Sequence, residues 1–410
     1  MNHKKHVLAA LSVIAMFLAG GAPANAGTLE FKYSFTNDSV AALDRGTVKW
    51  QLFTGGPVRY APVTWGKKVY IGSDDGYLYC LEAATGKEVW KFFAGPSNRK
   101  MLGNERMISV WNISASPVLQ DGRIYFAAGT WPMMGVFIYC LDANTGKIIW
   151  LNDATDGEWQ PMSYRRQNWN GDNKAGIDAD PDWSQGMTGK LYGNMPYSVA
   201  PKGVCIIKDG RLIVPCGRAL PAYFDINTGE LLRKYTYNPE DREVLEGKVN
   251  RKIRDGVDRL TSRTETANWE YQADRTPTAK LSPDPVAGEI LKQTQVSSGY
   301  CLVLGIGDGK LIDGLLAESS LRLVVIDADP AGVDALRRRM DAAGYYGIRV
   351  TALTDNPMNA GLPPYFASLI VAADPSAVGS DPDFSRNVLQ SLRPYGGIAC
   401  MSAKVVSDQS

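Results

Sequence analysis

Leu141-Asp142-Ala143-Asn144-Thr145-Gly146-Lys147-Ile148-Ile149-Trp150 is the stretch that decides the fold of the front half of this 410-residue chain. The glycine of Thr-Gly takes the positive φ that a tight hairpin requires, and the Asp or Asn before it bonds the turn backbone. Two β-branched residues follow, and a tryptophan closes the run. Just upstream, Phe137-Ile138-Tyr139-Cys140 is another short run of β-branched and aromatic type. Short runs of this kind with turn residues between them form a strand meander, not a pair of helices.

The same order of signals occurs twice more. One copy runs from Ala61-Pro62-Val63 through Lys68-Val69-Tyr70-Ile71-Gly72 and Gly76-Tyr77-Leu78-Tyr79-Cys80-Leu81 to Thr85-Gly86-Lys87-Glu88-Val89-Trp90. A weaker copy runs from Ala200-Pro201 through Asp209-Gly210-Arg211-Leu212-Ile213 and Tyr223-Phe224-Asp225 to Thr228-Gly229-Glu230-Leu231-Leu232-Arg233, with Arg233 where the tryptophan should stand. The turn glycines Gly86, Gly146 and Gly229 are 60 and 83 residues apart, against about 40–45 for a bare propeller blade, so the excess lies in loops. In the longest, 153–198, Asp178, Asp180 and Asp182 alternate as in a calcium loop, but the glycine and glutamate an EF-hand needs are missing. It reads as a solvated loop, with Trp159, Trp169 and Trp183 as buried anchors rather than a sugar- or partner-binding face.

These residues resemble the tryptophan-docking repeat of pyrroloquinoline-quinone (PQQ) proteins, over roughly residues 45–237. The resemblance implies a β-propeller of four-stranded blades, about three of them and therefore an incomplete ring. It also implies two functional branches: dehydrogenases that hold PQQ and Ca²⁺, and relatives such as outer-membrane assembly lipoproteins that use the repeat only as a scaffold. The adjacent cysteine pair typical of many quinoprotein alcohol dehydrogenases is missing from the sequence, so PQQ binding is not expected.

The N-terminus reads as a cleaved secretory signal over residues 1–26. Lys4 and Lys5 precede the apolar stretch Val7 to Leu18, and Ala24-Asn25-Ala26 is a small-x-small cleavage site. The apolar stretch is shorter than the ~20 residues a bilayer span needs. The only histidines, His3 and His6, fall inside this segment. The exported part then lacks the imidazole that Ser-His or Cys-His catalysis and histidine metal sites require, and no metal site is expected. Six cysteines form no C-x-x-C pair. Cys205 and Cys216 flank the Asp209-Gly210 turn on a diagonal of roughly 7 Å, too wide for a disulfide, so buried thiols are expected. Net charge is +1, which gives no case for nucleic acid or an anionic membrane.

Residues 238–297 read as a polar, partly helical linker. Beyond it the period changes. Tyr300 to Leu304 is a short apolar strand, Gly305-Ile306-Gly307-Asp308-Gly309 a glycine turn, and Lys310 to Ala317 an amphipathic helix. Leu321 to Asp327 is a second strand, ending in an acid 22 residues after Gly305. A helix from Pro330 to Ala343, a strand to Leu353 with Asp355 just beyond, a strand over Phe366–Ala372, a helix over Asp383–Leu392 and a strand over Gly397–Met401 follow. Alternation of this kind predicts a parallel α/β sheet.

A dinucleotide site wants Gly or Ala where Lys310 stands. The pattern G-x-G-x-G-K with Asp327, Asp355 and Leu392-Arg393-Pro394-Tyr395-Gly396-Gly397 instead resembles a class I S-adenosylmethionine (SAM)-dependent methyltransferase, over residues 298–403. The resemblance implies that Gly305, Gly307 and Gly309 line the methionine end of the cofactor, that Asp327 binds the ribose hydroxyls and that Asp355 lies at the adenine. The usual substrate motif after the fourth strand is replaced by Ala372-Ala373-Asp374-Pro375, so no catalytic residue is assigned. Two final strands of that fold are also missing. The module, 298–410, therefore reads as truncated, with the rest of the propeller supplied by sequence downstream of Ser410. PQQ-like repeats joined to a methyltransferase-like module resemble a group of large exported bacterial proteins.

The whole reads as a multidomain β plus α/β chain, a partial PQQ-like propeller followed by a Rossmann-like, methyltransferase-type sheet. The leading reading is an exported scaffold for a protein or glycan partner. An active SAM-dependent methyltransferase and a PQQ-dependent dehydrogenase are the alternatives. SAM is a cytoplasmic metabolite and the leader directs export, so the two halves pull towards different compartments.

Overall fold

The computed structural model describes residues 29–34, 36–130, 134–153, 199–216, 219–232, 277–357, 359–378, 382–401 and 405–407. The signal segment, the aspartate cluster and tryptophans of the 153–198 loop, Arg233 and most of the linker lie outside them.

The front half is four successive antiparallel sheets. β1 (Glu30–Ser34), β2 (Ser39–Asp44) and β3 (Thr47–Phe53) form the first; β4 (Val63–Trp65), β5 (Lys68–Gly72), β6 (Tyr77–Glu82) and β7 (Glu88–Phe93) form the second. A separate hairpin, β8 (Lys100–Gly103) and β9 (Arg106–Ser109), follows. The third sheet is β10 (Ile113–Gln120), β11 (Arg123–Ala128), β12 (Phe137–Asp142) and β13 (Ile148–Asn152), with β14 (Gly203–Val204) parallel along β10. β15 (Ile206–Lys208), β16 (Arg211–Cys216) and β17 (Ala219–Asp225) make the fourth. Separate apolar cores link the sheets in succession: Val40 with Val69 and Leu81, Tyr70 with Phe126 and Leu141, and Tyr125 with Leu212 and Phe224.

One contact repeats at each junction. The indole of Trp50 lies on Gly86, that of Trp90 on Gly146 and that of Trp150 on Gly229; a Cβ on those glycines would come within 2.6, 2.8 and 2.4 Å of the ring. Their φ values of 72°, 70° and 75° independently demand glycine. Each indole N–H donates to a carbonyl of the receiving turn: Ala83 (2.9 Å), Asn144 (3.1 Å) and Ile226 (3.0 Å). Asp142 and Asp225 brace their turns by accepting from Thr145 N and Thr228 N. Beside the three copies read from the sequence, the first sheet makes the same contact. Arg45-Gly46-Thr47-Val48-Lys49-Trp50 lacks the Thr-Gly-Lys order but docks its tryptophan as the others do.

The back half is a three-layer α/β module. α1 (Pro285–Thr294) falls in the stretch read as linker, yet its Ala287 is buried in the module's core. β18 (Tyr300–Leu304), α2 (Lys310–Glu318), β19 (Arg322–Asp327), α3 (Pro330–Ala342), β20 (Val350–Thr354), β21 (Ala367–Ala372), α4 (Pro382–Leu389), β22 (Ile398–Cys400) and β23 (Val405–Ser407) follow. The sheet order is β20-β19-β18-β21-β22-β23, parallel except for β23. The antiparallel β23 is a strand beyond the predicted five. Asp284 and Asp329 cap α1 and α3, and both helices start with proline.

Alternate residues of the central strands feed two cores. Cys301, Val303, Leu323 and Val325 face α1–α3 through Ala287, Ile312, Leu315, Val333 and Leu336. Leu302, Leu304, Val324 and Ile326 face α4 through Phe384 and Val388. The same core contains Met107 of β9, 1% exposed, with Leu102 of β8 packed against it. Among the described residues the crossover from β20 to β21 (355–366) contains no helix. Pro357, Pro363 and Pro364 disfavour one. The hairpin β8–β9 from the repeat half covers the sheet where a crossover helix would otherwise lie.

The two halves are joined by buried polar contacts. Arg106 of β9 pairs with the fully buried Asp38 and donates to Thr36 O. Arg337 of α3 donates to Ala352 O (2.7 Å) and Phe53 O (3.1 Å), and the Phe53 and Tyr346 rings meet edge-on at 5.6 Å. A solvent-exposed pair adds to these: Glu105, at the hairpin tip, lies 2.7 Å from Arg322.

Candidate functional site

In an open α/β sheet, ligands bind beyond the carboxyl ends of the strands, where successive crossovers leave in opposite directions. Here that point is the end of β18, with β19 on one side and β21 on the other. The predicted residues Gly305, Gly307, Gly309, Asp327 and Asp355 all come to this edge. Gly305 N bonds Ile326 O and Asp355 N bonds Asp327 O, tying the three strand ends together.

The three glycines all have positive φ: 72°, 57° and 81°. A Cβ at Gly305 would lie 2.5 Å from Asp374 Cβ, and one at Gly307 2.5 Å from Ala373 O. The turn is thus pressed against the segment leaving β21, and these two positions need glycine on the protein's own account. Gly309 is the N-cap of α2 and gives it no side-chain bond. Lys310 N is served by Asp308 (3.0 Å). Uncapped N–H groups at a helix start favour electron-rich ligand atoms.

Asp327 is half-buried and braces both turns: Oδ2 accepts from Ile306 N and Oδ1 from Asp329 N, each at 2.8 Å. An ionised carboxylate has about four lone-pair positions, so two remain for a ligand diol. Asp355 is held from the repeat half. Its Oδ2 accepts from Asn98 Nδ2 (2.7 Å) and Lys100 Nζ (3.2 Å), and its Oδ1 from Asn356 N (2.9 Å). Asn98 and Lys100 were missed in the sequence, because nothing local in Asn98-Arg99-Lys100 points to a carboxylate more than 250 residues away.

The cations at this edge each face an acid: Lys310 with Asp308, Arg339 with Asp313 and Lys100 with Asp355. Asp374 is held ionised by the backbone N–H of Ser376, which moves its carboxyl below the usual range. Asp327 and Asp374 thus leave the edge negative, which disfavours a pyrophosphate and suits a neutral or cationic nucleoside. Burial lowers the pKa of Lys100, with Asp355 opposing. All six cysteines are free and buried, and burial raises Cys80 and Cys140 to about 11. Among the described residues no group of three His, Cys, Asp or Glu side chains could hold a metal, and no helix is long and apolar enough to cross a membrane.

Comparison with known proteins covers the front of the chain best. Residues 36–167 match the PQQ-repeat family described as "Outer membrane protein assembly factor BamB". The dehydrogenase subunit of the quinone alcohol dehydrogenase of Gluconobacter oxydans is 34% identical over 88 residues, 21% of this chain and 11% of that protein. Quinohemoprotein alcohol dehydrogenase ADH IIB of Pseudomonas putida is 26% identical over 141 residues, 32% of this chain and 18% of that one. The chain thus spans less than a fifth of either relative. Among solved structures, BamB of Moraxella catarrhalis aligns with 49% of this chain and 44% of its own, at 16% identity and a TM-score of 0.29. A Methanococcus maripaludis protein, provisionally described as an S-adenosyl-L-methionine-dependent methyltransferase, aligns with 28% of this chain and 52% of its own, at 20% identity and a TM-score of 0.26. The front of the chain is strand-rich and propeller-like, with PQQ-type repeat similarity over residues 36–167, and a separate sheet with five parallel strands follows it.

Proposed function

We propose that the repeat half is an exported scaffold for a protein or glycan partner, and that the small-molecule chemistry of the chain resides in the α/β module, which binds S-adenosylmethionine. The observation that carries the reading is the convergence of the Gly305–Gly309 turn, Asp327 and Asp355 at one negative edge of the sheet. The residues present fit this cofactor. Asp327 keeps acceptor capacity for the ribose hydroxyls, the start of α2 offers uncapped N–H groups to the carboxylate, and the uncompensated acids suit a sulfonium. Once bound, that group supplies an electrophilic methyl carbon. The chain supplies position and alignment, which an in-line displacement needs more than an acid–base pair.

Calorimetry with SAM tests the reading. Binding is expected, weakened by about 1–3 kcal/mol in Asp327→Ala through lost charge-assisted hydrogen bonds. No heat from a folded sample refutes it. Quinone absorbance with Ca²⁺-dependent dye reduction would place the chemistry in the repeats instead.

A further inference from the structure

The loop after β20 is built around a side chain of the other half. Lys100 Nζ has three donors and gives them to Asp355 Oδ2 (3.2 Å), Ala360 O (2.6 Å) and Asn98 Oδ1 (2.6 Å). Its side chain is 11% exposed. Asn98 Nδ2 bridges Asp355 to Asn359 O (3.1 Å), and Lys100 N donates to Gly361 O (2.7 Å). At Gly361, with φ at 61°, a Cβ would fall 1.8 Å from Asn98 O, so the two backbones touch. Residues 355–357 and 359–361 therefore take their path from segment 98–100, with no helix among these described residues to set it. Asp355 N is in turn bonded to Asp327 O, so the staple reaches the neighbouring strand end.

We propose that Lys100, with Asn98, is a positioning residue for the nucleoside site: it sets the Asp355–Gly361 loop from the repeat half, so the α/β module binds its cofactor only while seated on the repeats. The proposal rests on the cofactor reading above. Glu105, which pairs with Arg322 at the opposite end of the sheet with half of its side chain exposed, takes no part in setting that loop.

The sign of the effect separates positioning from charge. SAM carries a cationic sulfonium, whereas S-adenosylhomocysteine has a neutral thioether. Were Lys100 only a charge near the site, its removal would tighten SAM relative to S-adenosylhomocysteine. Positioning predicts that Lys100→Met weakens both equally, by about tenfold. Glu105→Gln, which loses only that exposed pair and leaves the Lys100 contacts in place, leaves both affinities unchanged. The experiment is calorimetry of the full chain and both variants with each ligand, with hydrogen exchange of residues 354–361 as a second readout. Expected are equal losses in Lys100→Met together with faster exchange in that loop. Wild-type chain that binds neither ligand refutes the cofactor reading itself. Binding that Lys100→Met leaves unchanged, or that Glu105→Gln weakens as much, overturns the positioning role and leaves the cofactor reading standing.

Discussion

Met107→Ala separates sequence neighbourhood from structural membership. Met107 sits on β9, between the second and third sheets of the repeat half, and by sequence it belongs to the propeller. Its side chain is 1% exposed and lies in one core with Leu302, Leu304, Val324 and Ile326 of the α/β sheet. Truncating a buried methionine costs the transfer of its methylenes and thioether plus the cavity left behind, about 3 kcal/mol. That cost should fall on the sheet the side chain covers. Native-state hydrogen exchange by mass spectrometry reads it locally. Protection of β18, β19 and β20 should fall by about 100-fold, while peptides over β11 and β12 keep theirs. Ile138→Ala is the mirror control: Ile138 is 1% exposed in the core between the third and fourth sheets, and its loss should spare β18–β20. If Met107→Ala loosened residues 98–110 and the adjoining repeats but left Arg322–Asp327 and Val350–Thr354 fully protected, the hairpin would not be part of the α/β core.

Two further outcomes test the scaffold and its joint. Trp90→Ala removes the indole stacked on Gly146 and its bond to Asn144 O; a loss of about 3 kcal/mol is expected in denaturant unfolding, and a change below about 0.5 kcal/mol would mean that docking does not hold the blades together. Burial raises the Asp38 carboxyl to about 7 against the pull of Arg106. The folded state then binds more protons than the unfolded one between pH ~4 and ~7, so the contribution of Asp38 is full below ~4 and lost as pH rises through ~7. Asp38→Asn should flatten that falling limb in a stability–pH series, and parallel curves for the two proteins would contradict the assignment.

Much of this architecture was legible because each half follows a single period. The α/β module announces itself in Leu321–Asp327 followed by Pro330, and its strand ends bring the five predicted site residues to one edge. The first blade was not read because its turn is Arg45-Gly46-Thr47 and not Thr-Gly-Lys. The invariant that survives is the four-residue step from Gly46 to Trp50, the same as from Gly86 to Trp90 and from Gly146 to Trp150, because geometry fixes the distance from turn to indole and not the turn's spelling. The roles of Asn98, Lys100 and Met107 were not legible at all. They are set by contacts across more than 190 residues of sequence, and a short hairpin carries the same local signature wherever it docks.

The sequence does signal that one face of the sheet needs cover, though not which segment supplies it. Asn356-Pro357, Asn359, Gly361 and Pro363-Pro364 disfavour a helix in the β20–β21 crossover, yet Leu302, Leu304, Val324 and Ile326 demand cover on that face. α4 reaches only part of it. A parallel sheet left open on one face would expose a continuous apolar surface to water, so something outside the crossover has to close it. Met107 and Leu102 do so from the repeat half, and the hairpin that carries them also delivers Lys100 to Asp355. Core completion and the shape of the nucleoside edge therefore depend on the same ten residues, and a change that unseats the hairpin should cost stability and ligand affinity together.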